Sequence, residues 1–337
     1  MICFGELMLR LSPEGYNRFV QADKFDINYG GSEANVALSL VNYNMNSTFI
    51  TKLPSNEIGQ SALNKLRQYG VNTSKIKMDG ERIGIYYMEK GASQRPSKVI
   101  YDRSNSAISN ANLDDFNWDE IFNNAKWFHF SGITPALSDN LAEICLEACK
   151  KAKKNNITVS CDLNYRSKLW SEKKANKVMT QIMNYVDVCV ANEEDIEKVF
   201  GIKAEDTDVS HGKINYDSYK SVAEEVLSKF NLSMVACNLR TSISASDNKL
   251  LAVLYDGNKF YQSKEYDVHI VDRVGGGDSF LAGLIYGLLN NKSNQEALEF
   301  ATAAGVLKHS IEGDFNMVTV SEVENLASGD SSGRVQR

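Results

Sequence analysis

The stretch VDRVGGGDSFLAGLIYGLL, Val271–Leu289, places three glycines and an acid directly in front of an apolar segment. Gly275, Gly276 and Gly277 carry no Cβ, so their backbone amides can turn inward without a steric clash. The apolar residues that follow recur at helical spacing and predict a helix that begins at the glycine turn. Such a turn combines unpaired N–H groups with the positive end of a helix dipole, and it therefore predicts a site for phosphate oxygens.

Asp278 directly follows these glycines. A carboxylate beside an anion site repels the anion, unless the carboxylate faces an attacking hydroxyl and accepts its proton. The amides of Gly275–Asp278 would then hold the phosphoryl group during its transfer. The alternative for an acid at this place is an ordinary helix N-cap. The stretch thus indicates a phosphoryl-transfer site with Asp278 as its base, or a capped helix alone.

Short apolar segments alternate with amphipathic ones over most of the chain. The predicted strands are STFITKL, KWFHFSG, ITVSCDLN, VDVCVAN and SMVACNL, and the predicted helices span about residues 32–43, 56–70, 141–153, 173–185 and 219–230. Ser32 is the predicted N-cap of the first of these helices. Apolar strands separated by helices favour an α/β fold whose parallel sheet is covered on both faces. Ligands bind at the carboxyl ends of such strands.

Two segments, residues 7–29 and 83–103, show strand alternation with turns and no helical period. Two hairpin-like insertions of this kind predict a small second sheet, whose exposed faces are usually covered by a partner or a ligand. We interpret this sheet as a lid, with plain surface excursions as the alternative. Residues 1–320 form the predicted domain, and residues 321–337 form a polar C-terminal tail.

Composition narrows the class of protein further. The 337 residues carry a net charge of −6, so no overall basic field recruits nucleic acid or an anionic membrane. The six cysteines are scattered without a CxxC pair, which is typical of buried thiols in a reducing cytosol. The N-terminus lacks the pattern of a signal peptide, and no apolar run approaches 18 residues. These features predict a soluble cytoplasmic protein without a nucleic-acid or membrane partner.

Two motifs resemble those of a known family. DRVGGGDSFLAGLIYG is similar to the C-terminal signature of the ribokinase-like (PfkB-type) carbohydrate kinases. NYGGSEANVALSLVNY resembles the N-terminal signature of that family, in which two glycines precede a helix under the sugar. The resemblance covers about residues 1–320 and implies a ribokinase-like α/β/α sandwich with a β-sheet lid. It also implies ATP as the donor, Mg²⁺, Asp278 as the base and a homodimer formed through the lid.

Within this family the chain is most similar to kinases of 2-keto-3-deoxygluconate, which implies phosphorylation of that acid sugar to its 6-phosphate. The residues matched to acceptor contacts are Gly31, Ser32, Glu33, Ala34, Asn35, Tyr87, Tyr101, Arg103, Arg166 and Asp314. Guanidinium and phenol donors suit a carboxylate in a closed site. The alternative for each arginine is a solvated surface residue or an ion pair with a neighbouring Asp. Arg166 has the ATP phosphates as a further alternative, and Asp314 that of a turn residue.

Two readings compete with this acceptor. One is a kinase of fructose, ribose or a related ketose on the same fold, for which two cleft arginines would have less use. The other is a sensor that binds a sugar acid without turnover. The unchanged glycine–aspartate motif argues against the sensor.

The nucleotide side departs more from the family pattern. The resemblance places Asn164, Asn192, Arg240, Gly275 and Gly277 at the nucleotide. NEED, Asn192–Asp195, resembles an Asn-x-x-Glu element that tunes Mg²⁺ through water, and the shorter Asp195 leaves this role to Glu194 or Glu193. An acid-rich helix start is the alternative. NLRTSISASDN stands where the family has T-x-G-x-x-G, so Arg240 and nearby hydroxyls would meet the nucleotide by another geometry.

Overall fold

The computed structural model describes residues 1–203 and 216–330. In chain order the strands are β1 (Ile2–Phe4), β2 (Met8–Ser12), β3 (Asp26–Gly30), β4 (Thr48–Ile50), β5 (Lys52–Leu53), β6 (Lys77–Met78), β7 (Gly84–Glu89), β8 (Lys98–Asp102), β9 (Trp127–Ser131), β10 (Thr158–Asp162), β11 (Val188–Val190), β12 (Met234–Ser242), β13 (Asp247–Tyr255), β14 (Phe260–Gln262) and β15 (Tyr266–His269). The helices are α1 (Ser32–Asn42), α2 (Glu57–Gln68), α3 (Trp118–Ile121), α4 (Ile133–Ala136), α5 (Asp139–Lys154), α6 (Glu172–Met183), α7 (Glu193–Phe200), α8 (Tyr216–Phe230), α9 (Gly276–Leu289), α10 (Asn294–Lys308) and α11 (Val320–Ser328).

The central sheet is mostly parallel, as predicted. Its order is β14-β13-β12-β11-β10-β9-β1-β4, and β15 also pairs with β13. The pairs from β4 to β12 are parallel, whereas β12 and β13 form a long antiparallel hairpin that the sequence did not indicate. The carboxyl ends of the parallel strands therefore meet at one edge, where ligands bind in such sheets.

Helices cover both faces of this sheet. Successive side chains of a strand point to opposite faces. Cys189 of β11 accordingly lies in a core shared with α5, α6, α7 and α8, while its neighbours Val188 and Val190 lie in a second core. That second core packs against α1, α2, α9, α10 and α11. The predicted α/β/α sandwich is confirmed, because the apolar strands are buried on both sides.

Helix ends lie close to where the sequence placed them. Asn56 caps α2, because its side chain accepts hydrogen bonds from the amides of Ile58 and Gly59, both at 3.1 Å. Gly70 follows the helix with a φ of 82°, in the left-handed region that favours glycine. The predicted limits of residues 56–70 thus enclose the helix and its two caps.

A separate small sheet is present, with the strand order β3-β2-β7-β8. β2 pairs in parallel with β7, and both outer pairs are antiparallel. Its strands lie between residues 8 and 102, in the two segments predicted to be strand without helix. Ile27 and Ile100 on its outer strands are 64% and 54% exposed, so part of this sheet is apolar and uncovered within the described chain.

The tail predicted to begin at residue 321 begins later. Residues 320–328 form α11, whose N-terminus is closed by a reciprocal pair of hydrogen bonds between Thr319 and Glu322. Val323 and Leu326 are buried against the second core. The sequence prediction was wrong here because the apolar face of this short helix is buried only by its packing against α10. Residues 331–337 of the predicted tail lie outside the described residues.

The six cysteines are buried free thiols, as predicted from their apolar surroundings. In the part of the chain that the structure describes, none of the helices has the length and apolar character that crossing a membrane requires.

Candidate active site

The glycine turn leads into α9 as the sequence predicted. Gly275 is the N-cap, with a φ of 82°, and a Cβ at this position would overlap the carbonyl oxygen of Asp314. A Cβ on Gly276 would overlap the ring of His309, whereas one on Gly277 would meet no atom within 4 Å. The first intrahelical bond joins the amide of Ser279 to the carbonyl of Gly275 at 2.9 Å. The preceding amides therefore remain available to an anion at the helix N-terminus.

The carboxylate of Asp278 is held from across the domain by α1. Ser32 Oγ donates to one carboxylate oxygen and Asn35 Nδ2 to the other, each at 2.7 Å. Asp278 lies in the first turn of α9 and is not its N-cap, so the capping alternative is wrong. Ser32 is not an N-cap either, because Gly31 takes that place. Its hydroxyl instead orients the predicted base.

The surroundings of Asp278 favour its role as a base. Burial raises the pKa of this carboxyl above its usual value, and the hydrogen bonds from Asn35 and Ser32 oppose that rise. Asp314 raises the pKa further, and Arg166 lowers it. A carboxylate with a raised pKa accepts a proton more readily, which suits general base chemistry.

The tyrosine predicted at position 87 lies on the wrong face of its strand. Tyr86 pairs in register with Tyr101, and the two ring centroids are 6.1 Å apart. Tyr86 is buried and its hydroxyl donates to Asp314, beside the glycine turn. Tyr87 points to the opposite face and packs on Phe25. Because a shift of one residue reverses the face of a strand, Tyr86 and not Tyr87 faces the predicted site.

Arg103 forms an ion pair with Glu6. Its Nε donates to Glu6 Oε2 at 2.8 Å, its Nη2 contacts the same oxygen, and Ser106 Oγ donates to Glu6 Oε1 at 2.9 Å. The guanidinium also lies 5.4 Å from the ring centroid of Tyr101. Arg103 therefore forms an ion pair, as one alternative supposed, but the partner is the distant Glu6 and not a neighbouring Asp. A sugar carboxylate would bind an arginine that is already oriented by this partner.

Asp314 belongs to a buried charge network at the base of the small sheet. Arg10 of β2 reaches Asp314 at 2.8 Å and Asp272 at 2.7 Å, and its Nε donates to Ser12 at 2.8 Å. Asp272 also accepts from the amides of Val274 and Gly313, so its carboxylate shapes the turn that leads to Asp278. Side chains of this network are at most 1% exposed at Arg10, Asp272 and Asp314. Asp314 thus binds Arg10 and Tyr86 from the small sheet, which neither the sugar contact nor the turn alternative had specified.

Glu33 and Ala34 are not brought to the site. Glu33 is buried and accepts hydrogen bonds from the amide and hydroxyl of Ser131 and from the hydroxyl of Thr134. Ala34 is completely buried in the second core. Of the residues in this motif, only Ser32 and Asn35 contact the carboxylate of Asp278 through their side chains. The matching motif therefore divides into site residues and core residues.

A cavity of about 730 Å³ opens at the carboxyl ends of β10, β11 and β12. It is lined by Asp162, Asn164, Arg166, Asn192, Glu194, Asp195, Lys198, Tyr219, Asn238, Arg240, Arg273, Gly277, Phe280 and His309, among others. Every residue predicted to contact the nucleotide lines this cavity, except Gly275, which precedes Gly277 by two residues. Arg166 lines this cavity too, which favours its phosphate alternative over the sugar acid. The cavity reaches the glycine turn at Gly277, one residue before Asp278.

Acidic groups gather at one wall of this cavity. Burial, Asp195 and Asp278 raise the pKa of Asp162 well above its usual value. Burial raises the pKa of Asp195 to about 6, and Arg166 opposes that rise. Asp195 accepts from the amide of Tyr165 at 3.0 Å, while Asn192 caps α7 by accepting from the Asp195 amide at 2.8 Å. Carboxylates that disfavour each other's charge suit a bound cation.

These acids do not form a complete metal site by themselves. Within residues 1–203 and 216–330, three or more His, Cys, Asp or Glu side chains do not come together in metal-binding geometry. Glu194 is exposed on the cavity, as its predicted indirect role requires. Mg²⁺ usually keeps several waters and binds through one or two carboxylates plus phosphate oxygens, so this donor set fits the ion predicted from the family.

The stretch NLRTSISASDN forms the β12–β13 hairpin in place of a glycine loop. β12 continues to Ser242, and its last residues pair with Asp247–Leu251 of β13. Arg240 therefore sits on a regular strand and lines the cavity. In place of a glycine loop, this side of the cavity therefore has the edge of a hairpin that carries the guanidinium of Arg240.

The sequence alone did not identify several residues of this region as candidate site residues. Arg10, Tyr86, Asp162, Asp272 and Arg273 all lie at the turn or the cavity. Arg10 left one signal, a charge inside the apolar alternation LMLRLS. Tyr86 was adjacent to the residue selected, and only the orientation of β7 separates the two.

An acid held beside an anion-binding turn, on a sandwich with a small second sheet, defines a phosphotransferase that acts on a small acceptor. The sequence pattern that describes the pfkB family carbohydrate kinases matches residues 1–217 and 249–317. The chain belongs to this family and is a carbohydrate kinase.

Three proteins show how far the likeness extends. The crystal structure of 2-dehydro-3-deoxygluconokinase from Thermotoga maritima has a TM-score of 0.94 and 51% identity, covering 97% of this chain and 99% of that one. The 2-dehydro-3-deoxygalactonokinase of Haloferax volcanii is 32% identical over 99% of this chain and 98% of its own length. The 5-dehydro-2-deoxygluconokinase of Clostridium perfringens is 30% identical over 93% of this chain and 89% of its own length.

Proposed function

We propose that the protein transfers the γ-phosphoryl group of ATP to the terminal hydroxyl of 2-keto-3-deoxy-D-gluconate, giving the 6-phosphate. The carboxylate of Asp278, held on both oxygens beside free helix amides, carries this proposal. The Thermotoga maritima enzyme, with 51% identity over nearly the whole chain, supports the choice of acceptor. 2-Dehydro-3-deoxygluconate is another name for the same sugar acid.

Each group has one task in this reaction. Asp278 accepts the proton of the attacking hydroxyl, and Ser32 and Asn35 keep its carboxylate oriented. The amides of Gly275–Asp278 stabilise charge on the phosphoryl group in line with that hydroxyl. Mg²⁺, when bound near Asp162, Asp195 and Glu194, would offset the charge of the triphosphate.

The acidic acceptor is supported by one guanidinium and one phenol on the small-sheet side. Arg103 is 9% exposed and oriented by Glu6, and Tyr101 is 40% exposed beside it. A carboxylate bound to an oriented guanidinium forms strong charge-assisted hydrogen bonds. The galactonate-type acceptor of the Haloferax volcanii enzyme shares this carboxylate and is the second candidate.

A panel of acceptors tests the proposal. ADP release would be measured by a coupled assay with 2-keto-3-deoxygluconate, 2-keto-3-deoxygalactonate, 5-dehydro-2-deoxygluconate, fructose and ribose. We expect the first acid to have the highest kcat/KM, and ³¹P NMR to show a phosphate on its C6 oxygen. Equal or better turnover of a neutral sugar would contradict the acid-sugar assignment. Binding of the acid without ADP release would indicate a sensor.

Asp278→Asn tests the chemistry separately from the acceptor. We expect kcat to fall by about 100- to 10,000-fold, because the amide cannot accept the proton, while sugar binding is retained. Asp267→Asn is the matched control, since Asp267 is an exposed acid on β15. A mutant at position 278 that keeps most of its turnover would show that another group is the base.

We also propose that the small sheet acts as a lid and joins two protomers. Ile27, Leu11, Tyr87 and Ile100 form one row across its four strands, on the face opposite Tyr86. Two of these side chains are more than half exposed, and burying them against a second copy would remove apolar surface from water. Light scattering of Ile27→Lys/Ile100→Lys should show a monomer where the unchanged chain forms a dimer. The cytoplasm is the proposed location, because buried thiols persist in a reducing compartment.

A further inference from the structure

Two arginines from separate parts of the chain meet at the nucleotide cavity. Arg240 extends from β12 and is exposed, while Arg273 lies just before the glycine turn and is half-buried. Both line the cavity that also reaches Gly277. The family signature that DRVGGGDSFLAGLIYG resembles usually has threonine at the position of Arg273, and NLRTSISASDN, which contains Arg240, stands where the family has a glycine loop. The two departures therefore occur at one place in the folded chain.

The two guanidinium groups are close enough to oppose each other's charge. Burial, and then the charge of Arg240, lower the pKa of Arg273 below its usual value. Among the residues that the structure describes, neither arginine forms an ion pair. Asp272 is the neighbouring acid, but its carboxylate is bound to Arg10 at 2.7 Å. Two like charges without a counter-ion attract an anion to this position.

The two other cations that line the cavity, Arg166 and Lys198, lie near acids. Lys198 is paired with Glu172 at 3.1 Å, and Arg166 interacts with Asp162 and Asp195. Arg240 and Arg273 form no ion pair with the described residues, and they share the cavity lining with Gly277. The arginine pair thus places positive charge near the anion-binding turn.

We propose that Arg240 and Arg273 together bind the β- and γ-phosphates of the nucleotide. This inference rests on the proposed ATP-dependent reaction and names the groups that replace the missing glycine loop. Arg273 Nη2 donates to the carbonyl of Ala245 at 3.0 Å, in the turn between β12 and β13. That bond fixes the side chain toward the hairpin, and the remaining guanidinium donors are free to bind phosphate oxygens bidentately. A polyphosphate entering the cavity is then directed to the amides beyond Gly277.

Calorimetric titration without sugar tests this pair. Wild type, Arg240→Met and Arg273→Met would each be titrated with a non-hydrolysable ATP analogue, with ADP and with AMP, in the presence of magnesium. Methionine keeps most of the apolar stem and removes the charge. We expect each substitution to weaken the triphosphate analogue by about 10- to 100-fold, the range for a charged hydrogen bond, and to change AMP affinity less than twofold. Lys259→Met, an exposed cation remote from the cavity, is the control.

The outcomes separate charge from support of the hairpin. Arg273→Gln retains a donor for the Ala245 carbonyl but has no charge, and we expect it to behave like Arg273→Met. Wild-type affinity in Arg273→Gln, or an equal loss for AMP and the triphosphate, would show that Arg273 only supports the hairpin and would overturn the inference. Unchanged triphosphate affinity in both methionine variants would do the same. A wild-type protein that binds no nucleotide at all would instead refute the proposed kinase reaction.

Discussion

Replacing Arg10 by methionine should destabilise the protein far more than replacing an exposed arginine. The guanidinium lies between Asp272 and Asp314 at 2.7 and 2.8 Å, and it is 1% exposed. Methionine fills similar space but leaves both carboxylates without their partner. Breaking a buried pair from one side costs about 3–5 kcal/mol, because the remaining charge stays buried and uncompensated.

The magnitude can be converted into a melting temperature. With an unfolding entropy of about 2.1 cal/mol/K per residue, a domain of 337 residues loses about 1.4 °C per kcal/mol, so Arg10→Met should melt roughly 4–7 °C below wild type at pH 7. The loss should shrink on acidification. Burial already raises the pKa of Asp314 above its usual value, and Arg10 opposes that rise. Without Arg10 the pKa of Asp314 rises further, so protonation of this carboxyl relieves the penalty as the pH falls.

Differential scanning calorimetry at pH 7 and pH 5 measures both effects. Arg82→Met is the matched control, since Arg82 contacts Asp102 at 2.9 Å and the two side chains are 36% and 51% exposed. We expect its melting temperature to change by no more than about 2 °C, because exposed pairs contribute little. Equal melting temperatures for Arg10→Met and wild type would refute the reasoning. So would a difference that grows at pH 5.

Four further variants follow from the site and its supporting strands. Ser32→Ala removes a hydrogen bond that lowers the pKa of Asp278, so the acid limb of the kcat/KM profile should move to higher pH; an unmoved limb would contradict the assignment of Asp278 as base. Gly276→Ala should lower stability by about 1–3 kcal/mol through overlap with His309, whereas Gly277→Ala should keep its melting temperature and lose kcat, because its methyl group meets no protein atom and projects beside the transferring group. Burial lowers the pKa of His129 to about 3, so the unfolded state binds a proton first as the pH falls below about 6.5. Between pH 6.5 and 5 wild type should lose about 2 kcal/mol of unfolding free energy more than His129→Leu, measured by urea titration, and parallel curves would contradict this.

The local sequence was enough to predict the parts of the protein that depend on neighbouring residues. The glycine turn, the helix that follows it and the alternation of strands and helices were all predicted correctly. The small sheet was also predicted correctly. Two segments with a period of two residues and no helical period interrupt the alternation of strands and helices, which indicated a separate sheet. These features follow from the backbone freedom of glycine and from apolar periodicity, which a short stretch displays by itself.

Other outcomes depended on contacts between distant parts of the chain. Asp278 is held by Ser32 and Asn35, which are 246 and 243 residues away from it in the sequence. No local pattern connects these residues with Asp278. Arg103 and Glu6 are likewise 97 residues apart. Strand alternation made Tyr86 and Tyr87 face opposite sides, but only the packing of the small sheet decided which side faces the turn.

The sequence by itself therefore determined where the chain turns, which segments form helices or strands and which residue is the proposed base. The tertiary structure decided which side chains hold that base, which tyrosine faces it and which arginines retain uncompensated charge. The physical reason is that backbone conformation and periodicity are local, whereas burial and charge pairing depend on atoms that folding brings together.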